Sequence, residues 1–422
     1  MLNTNQFAAP LRVFTLILGS LFTFLISSML INDHGVAVFA TYSIFISLPS
    51  LIPFADLGLG LGIYNTYTLT HKSRELRKSD KEKIAITFYV LLIFSLVSSI
   101  LLWVIFFTRF IIVTPNSYSN YLSDLRTPLI LTLTFLSTPF TLGFRKISGK
   151  GRILSSTAIS FLIPVVNFLL TVLLIKTINS FEYWISFAPS ISYFVINLYA
   201  FKTSEIYLDF ASIDLQIIRK SLKHLMKYAI SATLFTTVIA ASLQFPKYYF
   251  AQRNNLSEVA KYSIFLIVAS SLSSLVVTQT SVIVPSYKRL SLQIKKRKYL
   301  TPSLRQIYLL TLLGIIGILL GPILIDRFLD VNFSQIDYFL SSFSIILYLI
   351  WVFYNSFLNE LQELRYSAKF GVSLLLVIVG LMHIIQIESY SEILASFFMP
   401  FFFGMLVVSL NLIFKESRAH NE

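Results

Sequence analysis

Residues 84–107 read IAITFYVLLIFSLVSSILLWVIFF, 24 residues without a charged side chain, bounded by Lys83 before and Arg109 after. A helix needs about 20 apolar residues to cross a hydrocarbon core of ~30 Å. This run is long enough, and the rest of the chain repeats its character. Hydrophobic residues make up 55% of the 422 and charged residues 13%. A soluble domain carries roughly 25% charged residues, because its surface faces water. Most of this surface must face something else.

Apolar runs bounded by charge or turn residues predict spans at 8–31, 36–66, 84–107, 126–145, 153–176, 182–202, 226–251, 257–286, 303–325, 336–358, 366–386 and 391–414. The run 11–31 is longer than the apolar core of a secretion signal, and no small-x-small cleavage pattern follows it, so it is read as the first span. The segment 182–202 is the least apolar of the set and carries Pro189.

Lysine and arginine set the expected orientation. With the amino terminus in the cytoplasm, the inner segments hold 27 of the 34 basic residues, and the largest cluster is Lys288, Arg289, Lys295, Lys296, Arg297, Lys298 and Arg305. Acidic residues show no such bias, ten inside against nine outside, with Asp56 within a span. An even number of spans places the carboxyl terminus in the cytoplasm as well. The net charge of +14 is therefore read as topology and anionic headgroups, with no nucleic-acid partner.

The chain also repeats itself. Ala37-Val38-Phe39-Ala40-Thr41-Tyr42-Ser43-Ile44-Phe45 aligns with Ser257-Glu258-Val259-Ala260-Lys261-Tyr262-Ser263-Ile264-Phe265, so the tetrapeptide Tyr-Ser-Ile-Phe recurs at an offset of 220. Each copy opens the second span of its half. The reading is an all-α polytopic membrane protein of about twelve transmembrane helices, in two parallel six-helix bundles around a central cavity. The expected bundles are 1–210 and 211–422.

Ionisable groups inside spans are costly and become functional candidates. Asp56 lies before Gly58-Leu59-Gly60-Leu61-Gly62, and either a packing role or a cavity and ion site suits it. Lys247 follows Pro246. It either snorkels to the outer interface or serves as a cavity cation for an anionic substrate. His383 in the eleventh span is read as a helix contact or a proton-coupling group. Arg12 and the pair Arg145-Lys146 sit where inner-interface anchors belong, and also where an inward-open cavity would receive a phosphate. Pro49, Pro53, Pro164, Pro189, Pro246 and Pro322 predict bent spans. The glycine run is no dinucleotide fingerprint, because no strand precedes it.

No cysteine is present, which removes disulfides, thiolate metal sites and cysteine nucleophiles. No Walker, HExxH, GxSxG or kinase pattern occurs. No metal, no cofactor and no enzymatic activity is expected; a transmembrane ion gradient is the candidate energy source.

The stretch 35–45 followed by Ala55-Asp56-Leu57-Gly58-Leu59-Gly60 resembles the opening of polysaccharide transporters. So does 258–264 through Val284-Pro285-Ser286-Tyr287-Lys288-Arg289-Leu290. These are flippases of O-antigen and capsule repeat units, within the multidrug/oligosaccharidyl-lipid/polysaccharide exporter superfamily. The chain departs from their pattern at Pro246-Lys247, where an Asp-Arg-like pair is common. The resemblance implies translocation of an undecaprenyl-pyrophosphate-linked oligosaccharide from the cytoplasmic to the periplasmic leaflet of a bacterial inner membrane. Arg12, Arg145 and Lys247 would then meet the pyrophosphate, and Asp56 or His383 would couple an ion. Membrane lipids, a polysaccharide polymerase and a chain-length regulator are the implied partners. Two alternatives stay open. One is an ion-coupled multidrug exporter on the same fold. The other is a membrane polysaccharide polymerase, a class that usually carries a large outer loop absent here.

Overall fold

The computed structural model describes residues 8–51, 78–112, 124–149, 152–178, 181–204, 206, 215–287, 329, 331–361 and 364–419. Among them every regular element is helical. In chain order these are α1 (Ala8–His34), α2 (Val36–Ser47), α3 (Lys78–Ile112), α4 (Arg126–Ser137), α5 (Leu142–Gly149), α6 (Ile153–Thr177), α7 (Phe181–Trp184) and α8 (Ala188–Thr203). Then follow α9 (Leu215–Gln252), α10 (Leu256–Tyr287), α11 (Gln335–Leu361), α12 (Leu364–Ile385), α13 (Tyr390–Ile393) and α14 (Met399–Ala419).

Eight of these stretches, some spanning two helices, are long and apolar enough to cross a membrane: Val13–His34, Ile84–Thr108, Arg126–Ser148, Leu154–Thr177, Phe181–Thr203, Leu256–Val277, Gln335–Asn355 and Tyr390–Leu412. Two shorter apolar helices, Val36–Ser50 and Tyr366–Met382, fall on the second and eleventh expected spans. The seventh span lies within α9, and the ninth, 303–325, lies outside the described residues. The chain is a multi-pass membrane protein. Apolar side chains stand exposed along α3, α6 and α12, as at Ile100, Leu169 and Leu376. Lipid tails receive such a surface without the penalty water would impose.

Proline and hydroxyl residues place the breaks. Thr138–Thr141, which contains Pro139, is a 3-10 turn between α4 and α5. The missing N–H of Pro139 interrupts the α-ladder. Thr134, Ser137 and Thr141 hydroxyls donate back to main-chain oxygens of Ile130, Thr134 and Thr138 at 2.8, 2.7 and 2.7 Å, which further loosens a helix. The sixth span is a short helix α7, a 3-10 turn Ile185–Phe187, and then α8 with Pro189 in its first turn. There Pro costs nothing, because that N–H has no helical acceptor. This is why a proline-bearing, polar stretch still forms a span. The twelfth span follows the same plan: α13, a π-helical turn Leu394–Phe398, then α14 opening on Met399-Pro400.

The chain divides into two compact units. Unit 1 is Met1–Thr23 with Thr41–Ala240, and unit 2 is Phe24–Ala40 with Ala241–Glu422. Within unit 1, α8 packs on α4, α5 and α6, and α4 packs on α3 and on the 3-10 turn Leu48–Leu51 that ends α2. Within unit 2, α11 packs on α10 and α14, and α14 packs on α12. Second, fourth, fifth and sixth spans of each half thus choose the same neighbours. The aligned repeat shares its burial too: Tyr42 and Tyr262, Ser43 and Ser263, Ile44 and Ile264, Phe45 and Phe265 are all buried. A left-handed residue precedes each copy, Gly35 at φ 90° and Asn254 at φ 55°, where glycine and asparagine are the residues that end a helix at least cost.

The core of unit 1 gathers Ile84, Phe88, Leu91 and Leu142, with Phe140 and Phe201 against it. Phe88 and Phe201 stack at 5.1 Å. Unit 2 has an aromatic column instead. Phe265–Phe398, Tyr348–Phe402 and Phe398–Phe402 centroids lie 4.9, 4.8 and 4.6 Å apart, within the range of favourable ring pairs.

Candidate functional site

Lys247 is buried, with 4% of its surface exposed, on the segment Gln244-Phe245-Pro246-Lys247 of α9. Neighbouring contacts hold this segment in unit 2. Phe245 stacks on Phe397 at 5.5 Å. The Tyr262 hydroxyl of α10 donates to the Leu243 carbonyl at 3.0 Å. The helices of this half carry no Asp or Glu over 215–257, 259–287, 338–359, 364–387 and 393–415. A lysine can leave water only if the groups around it satisfy its charge.

The basic pair at the end of the fourth span separates in the structure. Arg145 is exposed, while Lys146, one residue on, is 94% buried by its 6% exposure. It lies on α5 beside Gly143, where a Cβ would come within 2.5 Å of the Phe201 main-chain nitrogen. Ser148 and Ser156 join α5 to α6 through a 2.7 Å hydroxyl contact. In the same unit Tyr42 faces Asn167 and Thr171 of α6. Arg12 lies on α1 and His383 on α12, and the side chains of both are outside the described residues, as is the whole of Asp56. Arg145 belongs to unit 1 and Lys247 to unit 2, and each is placed within its own unit only.

Two polar clusters were not singled out from the sequence. In unit 1 Arg126 opens α4. Its Nε and Nη2 donate to Asp124 Oδ2 at 2.9 and 2.6 Å, and Nη1 reaches the Glu182 carbonyl at 3.4 Å. The guanidinium also lies 4.1 Å from the Phe45 ring centroid and 4.9 Å from that of Tyr183. Edges and faces are occupied, so Arg126 ties α2, α4 and α7 together. In unit 2 the Lys261 ammonium sits 3.0 Å from Glu258 and 3.8 Å from Asp337. The other Glu258 oxygen accepts from the Tyr390 N–H at 2.6 Å, and the Tyr390 and Ser341 hydroxyls lie 2.5 Å apart. Arg253 donates to the Ile387 carbonyl at 2.6 Å and lies over the Tyr249 ring. One signal could have found part of this: Glu258 and Lys261 replace Val38 and Thr41 in the aligned repeat. Among the described residues no group of three His, Asp or Glu is placed to hold a metal ion.

No protein-family model matches the chain, and no curated protein matches it at a significant level. Solved structures do. An inward-facing multidrug resistance MATE family transporter of the MOP superfamily aligns with a TM-score of 0.64 at 14% identity, over 98% of each chain. A eukaryotic MATE transporter aligns with a TM-score of 0.65 at 14% identity, over 98% of this chain and 97% of its own. A MOP superfamily transporter from Pyrococcus furiosus, described as having a binding pocket of reverse polarity, aligns with a TM-score of 0.56 at 14% identity, over 98% and 95%. These neighbours are transporters, not enzymes. At this identity the likeness is one of fold: the chain has the MATE-type fold of twelve helices in two bundles.

Proposed function

We propose that the chain is an exporter of amphipathic molecules, working by alternating access on the MATE-type fold. The observation that carries this is the end-to-end likeness to drug exporters of that fold, over 98% of this chain. It supports the ion-coupled multidrug exporter above the oligosaccharide flippase that the sequence motifs favoured. Under this reading Asp56 is the acid that exchanges with an ion or a cationic drug, because it is the only Asp or Glu that lies more than two residues inside an expected span. His383 is the second coupling candidate. The bundles would be 1–210 and 211–422, with both termini in the cytoplasm.

A second reading has its own observation. Lys247 is buried in a half whose helix interiors carry no carboxylate, which suits an anionic substrate better than a cationic drug. It supports a flippase for undecaprenyl-pyrophosphate-linked oligosaccharide in a bacterial inner membrane. Arg12, Arg145 and Lys247 would contact the pyrophosphate, and a polymerase and chain-length regulator would act downstream.

Purified protein in liposomes separates the two. Ion-gradient-driven movement of a cationic dye, lost in Asp56→Asn, supports the drug exporter. Translocation of a labelled lipid-linked oligosaccharide, lost in Lys247→Met, supports the flippase. Movement of neither substrate across a range of gradients overturns both.

A further inference from the structure

The sixth and twelfth spans are interrupted at the same place in their own halves. Each begins with a four-residue helix, α7 or α13, and continues as a long helix, α8 or α14, whose second residue is a proline. Between them lies a turn that is not α-helical: 3-10 over Ile185–Phe187 in unit 1, π over Leu394–Phe398 in unit 2. Proline has no N–H, so Pro189 cannot close a ladder bond to Ile185, nor Pro400 to Ser396. The turns close with other spacings instead. Ala188 N–H donates to the Ile185 carbonyl three residues back, and Met399 N–H to the Leu394 carbonyl five residues back. The Ser396 hydroxyl also donates to the Glu392 carbonyl at 2.5 Å, a bond that loosens the ladder further.

The two sides of each break are held by different forces. The short pieces are fixed by charge and hydrogen bonds. In α7, Arg126 engages the Glu182 carbonyl and the Tyr183 ring. In α13, the Tyr390 N–H donates to Glu258 at 2.6 Å and its hydroxyl meets Ser341, while a Ser389–Glu392 capping box closes the first turn. The long pieces rest on their neighbours through apolar contacts. α8 packs on α4, α5 and α6, and α14 on α11 and α12, with ring pairs such as Phe140–Phe201 at 5.5 Å and Tyr348–Phe402 at 4.8 Å. Hydrogen bonds fix an orientation, whereas apolar contact is non-directional and tolerates small shifts.

We propose that both breaks are hinges. The charged clusters hold α7 and α13 in place, and α8 and α14 tilt against them, with the rotation absorbed by the residues beside each proline. Hinges in domain movements are commonly a few element-terminal residues of this kind. The inference concerns the chain's own movement and holds for either substrate reading.

Double electron–electron resonance on the full chain in nanodiscs tests it. The sequence has no cysteine, so spin labels attach to introduced ones alone. Glu182→Cys with Thr203→Cys reports unit 1, and Glu388→Cys with Asn411→Cys reports unit 2. All four positions are exposed, and each pair lies roughly 30 Å apart at a helical rise of ~1.5 Å per residue. Ile93→Cys with Thr108→Cys, on the proline-free α3, supplies a reference width. With both prolines present, the two hinge pairs should give distance distributions at least about twice as wide as the reference. Pro400→Ala gives Ser396 a helical donor, so it should narrow the unit 2 distribution to the reference width and leave unit 1 unchanged. Pro189→Ala should do the converse. Arg126→Ala frees α7 and should widen the unit 1 distribution alone. Distributions as narrow as the reference with both prolines present overturn the hinges. So do widths that neither proline replacement alters at an unchanged melting temperature. An unaltered unit 1 width in Arg126→Ala overturns the anchoring of α7 by charge.

Discussion

In unit 1 a single arginine joins three helices. Arg126 is chelated by Asp124, reaches the Glu182 carbonyl and lies between the rings of Phe45 and Tyr183. In unit 2 the corresponding helices meet through dispersed charge: Lys261 between Glu258 and Asp337, with Glu258 also bonded to the Tyr390 N–H. The cation rides on the fourth span in one half and on the second span of the other half. Phe45 and Phe265, equivalent in the repeat, both line their cluster, one under a guanidinium and one edge-on to Tyr390 at 6.2 Å. Which helices neighbour one another is therefore shared by the two halves, while the chemistry that secures those contacts is not. Equivalent helices share the same neighbours where shape complementarity is distributed over many contacts. A charge cluster depends on few atoms and can be rebuilt with other residues.

The largest test of this contrast concerns the tightest contact. Gly143→Ala places a Cβ 2.5 Å from the Phe201 nitrogen, main chain against main chain. Nothing there can swing aside, so α5 and α8 must separate. Thermal unfolding in nanodiscs should show a loss of about 3 kcal/mol or more, and a melting temperature equal to wild type would mean that unit 1 does not rely on this approach.

Arg126→Ala comes next, at about 2–3 kcal/mol, because a charged chelate and ring contacts go together. Arg126→Lys should recover only a minor part, since an ammonium cannot lie flat between two rings while holding a carboxylate. Full recovery by lysine would reduce the cluster to a simple charge pair.

In unit 2, Lys261→Met should cost about 1 kcal/mol, and the loss should shrink at high salt, because partly exposed pairs are screened. If salt leaves it unchanged while Arg126→Ala turns salt-dependent, the contrast between the clusters is reversed. The smallest effect is expected at Gly404→Ala. Its Cβ would clash with the Leu374 Cδ2 methyl at 2.7 Å while the Phe370 ring carbons stay at contact distances of 3.6 and 3.7 Å, and a rotamer change of Leu374 relieves the clash for about 1 kcal/mol or less.

Much of the fold was legible as run lengths. The expected span 153–176 is α6, Ile153–Thr177, and 257–286 is α10, Leu256–Tyr287. The span 182–202 was legible in extent but not in form. Only the backbone shows that Pro189 starts a helix after a 3-10 turn rather than kinking one. The candidate site was legible in part. Lys247 was singled out as a charge in an apolar run. The repeat marks Tyr262 in the sequence, but not the carbonyl it reaches 19 residues away. Arg145 was preferred to Lys146, and burial falls on Lys146.

The physical reason lies in the solvent. In water an amphipathic pattern marks the buried face of a helix. In lipid both faces are apolar, so run length and charge placement survive as signals while facing is lost. The sequence by itself determined that the chain crosses a membrane many times, where its spans lie and that its halves share a repeat. Those follow from transfer free energies summed along a strand of residues. Which lysine turns inward, which carbonyl Tyr262 seals and which rings enclose Arg126 were decided by tertiary structure alone, because each depends on residues that meet only when separate helices pack.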